Sequence, residues 1–259
     1  MGAKYDSRLG AGQGAIDEML SLIALYQDGF SAHDVYEVAL ATGVFGGRSA
    51  KRLKNFVTDA FAPRFLSDGE RPAKLIQMVS QVFSRDEISQ LMFVFACRAS
   101  DILRDFTIDV YWRAYASGRE TIANSSVQDF VRSGIDGGKT GGVVWSEKTI
   151  KNVAGYLTGT LADFGFLQSG RRVERSICKC SLRVRVALVL AYVLHLEGKG
   201  DNAVVAHPDW SLFGMERQDV VELLRSNSIQ GGLIVQVAGE AVSISWRYKS
   251  LEELVNGIA

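Results

Sequence analysis

The chain has 259 residues, 47% hydrophobic and 22% charged, enough to bury one large core or two smaller ones and too apolar to be disordered throughout. Lys plus Arg and Asp plus Glu both number 29. Zero net charge excludes a polycation that grips nucleic acid by bulk charge, so any such contact must come from local basic patches.

Residues 1–12 are polar and glycine-rich and read as an extended lead-in. The spacing of Ile16, Met19, Leu20, Leu22 and Ile23 predicts a helix over 15–27, stopped at Asp28-Gly29. Ser31 is placed to cap a second helix that turns Val35, Val38 and Ala39 inward and ends near Gly43. Ser49 then opens a third. Leu53, Phe56, Val57, Ala60 and Phe61 form its core stripe, while Arg48, Lys51, Arg52 and Asn55 line the other side. Two short helices joined by a glycine turn, the second basic on its outer face, suggest helix-turn-helix geometry. The plain alternative is a solvated face.

From Arg71 to Gly118 the pattern is a helical block. Pro72 suits a first turn, and Ser84 with Glu87 three residues on is a capping box opening a helix over 85–100. Its run Leu91 to Cys97 is continuously apolar and belongs in the interior. A helix over 101–115 follows, then a short one over 127–132 capped by Ser125 or Ser126. Asp101, Asp105 and Asp109 share one helical face. They fit a cation site less well than a solvated face paired with Arg104 and Arg113.

Residues 133–142 form a glycine-rich loop. Gly138-Lys139-Thr140 imitates the end of a phosphate-binding loop, but Ser133 stands where the first glycine belongs and a helix precedes it where a strand should. It reads as a mobile loop. Trp145 to Leu167 is the clearest amphipathic helix of the chain. Ser146 sits at its N-cap, Gly165 at its stop, and Ile150, Val153, Ala154, Leu157, Leu161 and Phe164 share one arc. The opposite arc carries Lys148, Lys151, Asn152, Gly155, Gly159 and Ala162. It is cationic first and then bare, which suits close approach of either a nucleic-acid backbone or a second helix. Phe166-Leu167-Gln168 and Arg171-Arg172-Val173 flank Ser169-Gly170 as a basic hairpin. Helix, glycine, strand and basic hairpin is the order of a winged helix. From Arg171 to Arg185 the chain carries six cations and one acid, Glu174, including Arg175.

Ser181 to Glu197 reads as a buried helix, its apolar run too short and too polar to span a membrane. The tail predicts a helix over 216–226, strands over 233–237 and 241–246, and a last short helix over 251–255, a second helix-plus-hairpin module. Cys97, Cys178 and Cys180 imply no disulfide framework and fit a reducing cytoplasm. Cys178-Lys179-Cys180 has the wrong gap for zinc, and His33, His195 and His207 stand apart from any nucleophile or ligand set. No signal segment opens the chain, and no catalytic, metal or cofactor constellation emerges. The regions are taken as 1–66, 67–135, 143–200 and 201–259.

Tyr5-Asp6-Ser7-Arg8-Leu9 with Gly10 and Gly12, Arg48-Ser49 with Arg52-Leu53, and Trp145-Ser146 with Thr149, Lys151, Leu161, Gly165, Phe166 and Leu167 resemble the BrxA family of bacteriophage exclusion (BREX) phage-defence systems. The resemblance runs from the start to about residue 200, and Trp210 to Leu254 fits as well. It implies a small, helical, cytoplasmic protein without known enzymatic activity and with a DNA-binding role. It carries no catalytic residues over. The sequence reading is therefore a mainly α protein with helix-turn-helix or winged-helix elements and short β-hairpins in the last third. It is taken to be monomeric and to contact double-stranded DNA and other BREX proteins, with no membrane and no cofactor. The DNA-facing residues are Arg48, Lys51, Arg52, Lys148, Lys151, Asn152, Gly155, Arg171, Arg172 and Arg175. The contrasting expectation is a scaffold that docks proteins through Gly155, Gly159 and the C-terminal hairpin.

Overall fold

The computed structural model describes residues 4–12, 15–47, 49–67, 71–170 and 173–258. A 3-10 turn (Arg8–Gly12) precedes α1 (Ile16–Leu25), α2 (Ala32–Thr42) and α3 (Ala50–Phe56). The last runs through a π-helical turn (Val57–Phe61) into α4 (Ala62–Phe65). Next come α5 (Arg71–Val79), α6 (Arg85–Arg98) and α7 (Asp101–Phe106), the last continuing through a second π-helical turn (Thr107–Trp112) into α8 (Arg113–Ala116). The chain goes on through β1 (Thr121–Ala123), α9 (Asn124–Asp136), α10 (Glu147–Asp163) and β2 (Glu174–Ser176). It ends with α11 (Val184–Leu196), α12 (Asp201–Val205), a 3-10 turn (Pro208–Phe213), α13 (Arg217–Ser226), α14 (Ser228–Gly231), the strands β3 (Leu233–Ala238) and β4 (Ala241–Trp246), and α15 (Leu251–Ile258). The protein is mainly α with two small antiparallel sheets.

The local signals behave as their chemistry requires. Ser31 and Asp34 form a reciprocal capping box on α2, and Ser49 and Ser146 accept the N–H of Arg52 and Thr149 at 3.4 and 3.2 Å. Gly43 and Gly165 end α2 and α10 in left-handed conformation, φ 63° and 81°. Other expectations need correcting. Of the lead-in, residues 8–12 form a 3-10 turn in place of an extended segment, and residues 1–3 lie outside the described residues. The helix after β1 starts at Asn124, ahead of both serines, with no side-chain cap, and runs to Asp136. Strand β1 and helix α12 were not foreseen.

The chain folds into two compact units, one of residues 1–74 with 95–180 and one of 75–94 with 181–259. The units cut across the four regions read in chain order, because residues 75–94 pack with the C-terminal segment.

In the first unit aromatic side chains fill the core. Phe61 packs tilted against Phe65 and Phe65 edge-on against Phe95, with centroids 5.4 and 6.4 Å apart. Phe130 bridges Tyr5 and Phe106, and Tyr111 meets Phe166 edge-on at 5.2 Å. The fully buried rings among them, Phe61, Phe65, Phe106, Tyr111 and Phe166, each contribute about 1.5–3 kcal/mol through area removed from water. Tyr111 places its hydroxyl on the Cys178 carbonyl at 2.6 Å, so the ring anchors the strand segment while its polar end stays satisfied.

In the second unit α11 is buried nearly all round, Val186 to Val193, as its continuous apolar sequence dictates. Among the described residues no helix is long and apolar enough to cross a membrane. Phe93 packs on Phe213, Tyr192 on Trp246, and the Trp210 indole donates to the Val204 carbonyl at 2.7 Å. Glu87 completes the capping box on Ser84 and also takes a bidentate hydrogen bond from Arg185, at 2.9 and 2.7 Å. The Arg185 guanidinium lies over the Phe83 ring at 4.6 Å.

Candidate nucleic-acid interface

The small sheet of the first unit sets the frame for α10. β1 pairs antiparallel with β2, Ile122 opposite Arg175. The other edge of the same segment pairs with residues 166–168: Leu167 bridges Ile177, Gln168 donates to the Ser176 carbonyl at 2.9 Å, and Cys178 donates to Phe166 at 2.8 Å. The chain order is therefore helix (α7 with α8), strand, helix (α9), helix (α10), strand, strand. The hairpin differs from the expected one. Strand 166–168 pairs with 176–178 rather than with 171–173, so the loop between is longer. Buried Phe166, Leu167 and Ile122 pin this register to the core.

α9 packs on α10, leaving one face of α10 outward. Lys148, Lys151 and Asn152 are exposed there, and none has a partner among the described residues. Gly155 continues that face, and a Cβ built on it would meet nothing within 4 Å. Beyond it the face closes. Gly159 and Ala162, expected outward, are buried, and the 3-10 turn Arg8–Gly12 packs against α10 with Gly10 at Tyr156. Gly10 is required there, since its Cβ would lie 2.6 Å from the Tyr156 ring. The small-residue stripe thus serves two purposes. Its C-terminal half is a packing seam inside this chain, and its N-terminal half, from Lys148 to Gly155, is open. Glu147, the acid of the first turn, is held by Arg132 at 2.7 Å, and that hydrogen bond keeps its carboxyl below the usual range.

The basic cluster read at 171–185 is partly consumed within the fold. Arg175 donates to the Gln168 carbonyl at 3.0 Å and closes the base of the hairpin loop. Arg183 reaches Asp86 at 3.5 Å, and Arg185 is bound to Glu87. Lys179 is exposed. Arg48, Arg171 and Arg172 lie outside the described residues. Lys51 and Arg52 are exposed on α3, and α3 and α10 both pack on the Arg8–Gly12 turn.

The loop that joins α9 to α10 is tied down, which corrects its reading as mobile. Lys139 donates to Asp105 at 2.7 Å and to the Tyr5 hydroxyl at 3.1 Å, and the Tyr5 hydroxyl also donates to Asp105 at 2.9 Å. The Tyr5 N–H donates to the Lys139 carbonyl at 2.7 Å. Burial pushes the Tyr5 phenol up to about 12. Burial alone would raise the Asp105 carboxyl, but hydrogen bonds from Lys139 and Tyr5 outweigh it and hold the carboxyl below its usual value. Asp101 and Asp105 are paired to Arg104, and Asp109 to Arg113. No metal-holding group of His, Cys, Asp and Glu exists among the described residues. Lys139 therefore positions the loop in front of α10. Lys139→Ala should lower stability by about 1–2 kcal/mol, since it takes from the half-buried Asp105 the shorter of its two cation contacts and leaves Arg104 as its remaining cation. A melting curve of the variant checks this, and an unchanged midpoint would return the loop to the status of a hinge.

Sequence reasoning missed this Tyr5–Asp105–Lys139 triad, whose members are far apart in the chain. The three acids spaced by four were the one available signal. No characterised protein and no solved structure shows significant similarity to the chain. The model of one family, BrxA, matches residues 3–192. That span runs from the residues leading into the Tyr5 anchor, through the Lys139 loop and all of α10, into α11, and the chain belongs to the BrxA family.

Proposed function

We propose that this protein is a non-catalytic, cytoplasmic DNA-binding component of a BREX phage-defence system, working beside other BREX proteins and without a cofactor. In this reading α7 to β2 form a winged helix-turn-helix. α10 enters the major groove, and the loop at 169–173 meets the flanking phosphates. The observation that carries it is the outward face of α10: two lysines and an asparagine without partners among the described residues, and a glycine with open space above it. A face that needed only solubility would be expected to mix acids with its lysines. The acid present, Glu147, is turned onto Arg132. Asn152 can pair with adenine in the groove, a contact worth about 1–3 kcal/mol of discrimination.

Lys148 and Lys151 act on phosphates, so their loss should weaken binding to every sequence alike. Lys151→Ala is expected to flatten the slope of log K against log salt by about one unit, because each phosphate contact contributes about 0.9. Fluorescence anisotropy on two unrelated duplexes, each titrated at several salt concentrations, measures this. An unchanged slope on both duplexes would remove Lys151 from the interface.

A further inference from the structure

The second unit ends in a module of similar order, α11, α12, α13 and the hairpin β3–β4, but its surface is of another kind. α13 carries Arg217 and Arg225 against Asp219 and Glu222, so it has no excess of cations. Arg217 is itself bound to Asn202. The hairpin displays apolar groups to water: Ile234 is 61% exposed, Val237 46%, and Ile229 on the adjoining α14 98%.

The two edges of this hairpin are treated differently. On β4 the Val242 and Ile244 N–H groups point outward and are capped by Asn202 and Asp201 carboxamide and carboxylate oxygens at 3.0 and 2.8 Å. In an antiparallel ladder the residues opposite them, Val237 and Val235, must then point their own N–H and C=O groups away on the far side. Among the described residues those N–H groups have no partner. Two grooves border β3. One, about 430 Å³, is lined by Ile229, Leu233, Ile234, Trp246 and Arg247. The other, about 420 Å³, lies between Val237 and the α13 residues Gln218, Val221, Glu222 and Arg225. The first groove lies at the start of β3 and the second at Val237, so a strand laid along this edge would meet them with side chains about three residues apart. In the first groove Arg247 is the sole charged lining residue, it is exposed, and it has no ion pair among the described residues.

We propose that β3 is a docking edge for an extended segment of another protein, added as a third strand, with apolar side chains at alternate positions and a carboxylate facing Arg247. Main-chain hydrogen bonds would supply the attachment and the two grooves the selectivity. One edge is blocked by Asp201 and Asn202 and the other left open, an asymmetry that a hairpin merely avoiding aggregation would lack. This reading does not depend on DNA binding by the first unit.

The test uses the full chain and a short synthetic peptide that alternates Thr and Val and ends in Glu, followed by anisotropy of a dye on the peptide. The peptide is expected to bind. Val237→Lys, at a half-exposed position, should weaken binding about tenfold with an unchanged melting midpoint, and Ile234→Lys should act the same way from the outer face. A peptide N-methylated at alternate amides should not bind, and one ending in Lys should bind more weakly. The proposal is overturned if the intact peptide fails to bind, if the N-methylated or Lys-ended peptide binds equally well, or if neither lysine variant has an effect. It is also overturned if sedimentation shows a dimer of the chain that Val237→Lys dissolves, since the edge would then belong to a second copy.

Discussion

Gly155→Glu is expected to abolish DNA binding while leaving the protein folded. A side chain built at Gly155 meets no atom within 4 Å, so the fold offers no steric objection. A residue other than glycine in a helix interior gains roughly 0.5–1 kcal/mol in backbone terms, so the melting midpoint should hold or rise slightly. What changes is the surface. A carboxylate and its stem would stand one turn beyond Lys151, where a phosphate or base edge must come close in the proposed docking. Like charges brought together at an interface cost several kcal/mol, so affinity should fall on the order of a hundredfold or more. The contrast is Gly10, on the segment that packs against the same helix at Tyr156. There a Cβ would lie 2.6 Å from the Tyr156 ring, and Gly10→Ala should cost stability. Anisotropy and a melting curve on both variants separate the two roles. Unimpaired binding by Gly155→Glu would take α10 out of the DNA interface.

The largest loss of stability is expected from Glu87→Ala. Glu87 is 7% exposed and gathers four hydrogen bonds, two from Arg185 and two from the N–H and hydroxyl of Ser84. Its removal takes away the reciprocal half of the capping box on α6, while Ser84 keeps its bond to the N–H of residue 87, and leaves a guanidinium on the Phe83 ring without its carboxylate. Breaking a buried pair by deleting one partner costs about 3 kcal/mol, to which the lost half of the capping box adds a fraction of a kcal/mol. Burial would raise the Glu87 carboxyl, but hydrogen bonds from Arg185 and Ser84 outweigh it and hold the carboxyl below its usual value. A carboxylate held low binds fewer protons in the folded state than in the unfolded one. Its stabilisation is therefore present above about pH 4.3, the ordinary glutamate value, and is lost as pH falls through the lower folded value. Wild-type stability should decline on acidification through that window, and Glu87→Ala should flatten part of the decline. Urea unfolding between pH 3 and 7 (~one-unit steps) reads both effects. A variant within about 1 kcal/mol of wild type at neutral pH would contradict the role assigned to Glu87.

How far the fold was legible in the sequence follows from the range of the interactions involved. The caps at Ser31, Ser49, Ser84 and Ser146 and the stop at Gly165 act within a turn or two, and all stand where their spacing placed them. The apolar stripes of α3 and α10 are likewise local and are buried as read, except Phe164, which is only partly buried at the end of α10. What escaped was long-range. β1 is three residues long, too short for periodicity, and exists because Glu174 to Ser176 pairs with it from 53 residues away. The hairpin register was set by burial of Phe166 and Leu167, not by the Ser169-Gly170 turn. Lys139 looked like part of a loop because neither Tyr5 nor Asp105 is near it in the chain. The outward face of α10 was half right for a similar reason: helical spacing identifies the face, but only the fold reveals that its far half, Gly159 and Ala162, is buried.

One titration tests directly whether α10 is a DNA-contacting helix. Wild-type protein is added to a dye-labelled mixed-sequence duplex, and the binding constant is measured across a range of salt concentrations. If Lys148, Lys151, Arg171 and Arg172 meet phosphates, binding should saturate at low salt and log K should fall with log salt with a slope of about −3 to −4. Absence of binding at every salt concentration, by a protein whose melting curve shows it folded, would contradict the account and leave the chain as a protein-docking scaffold.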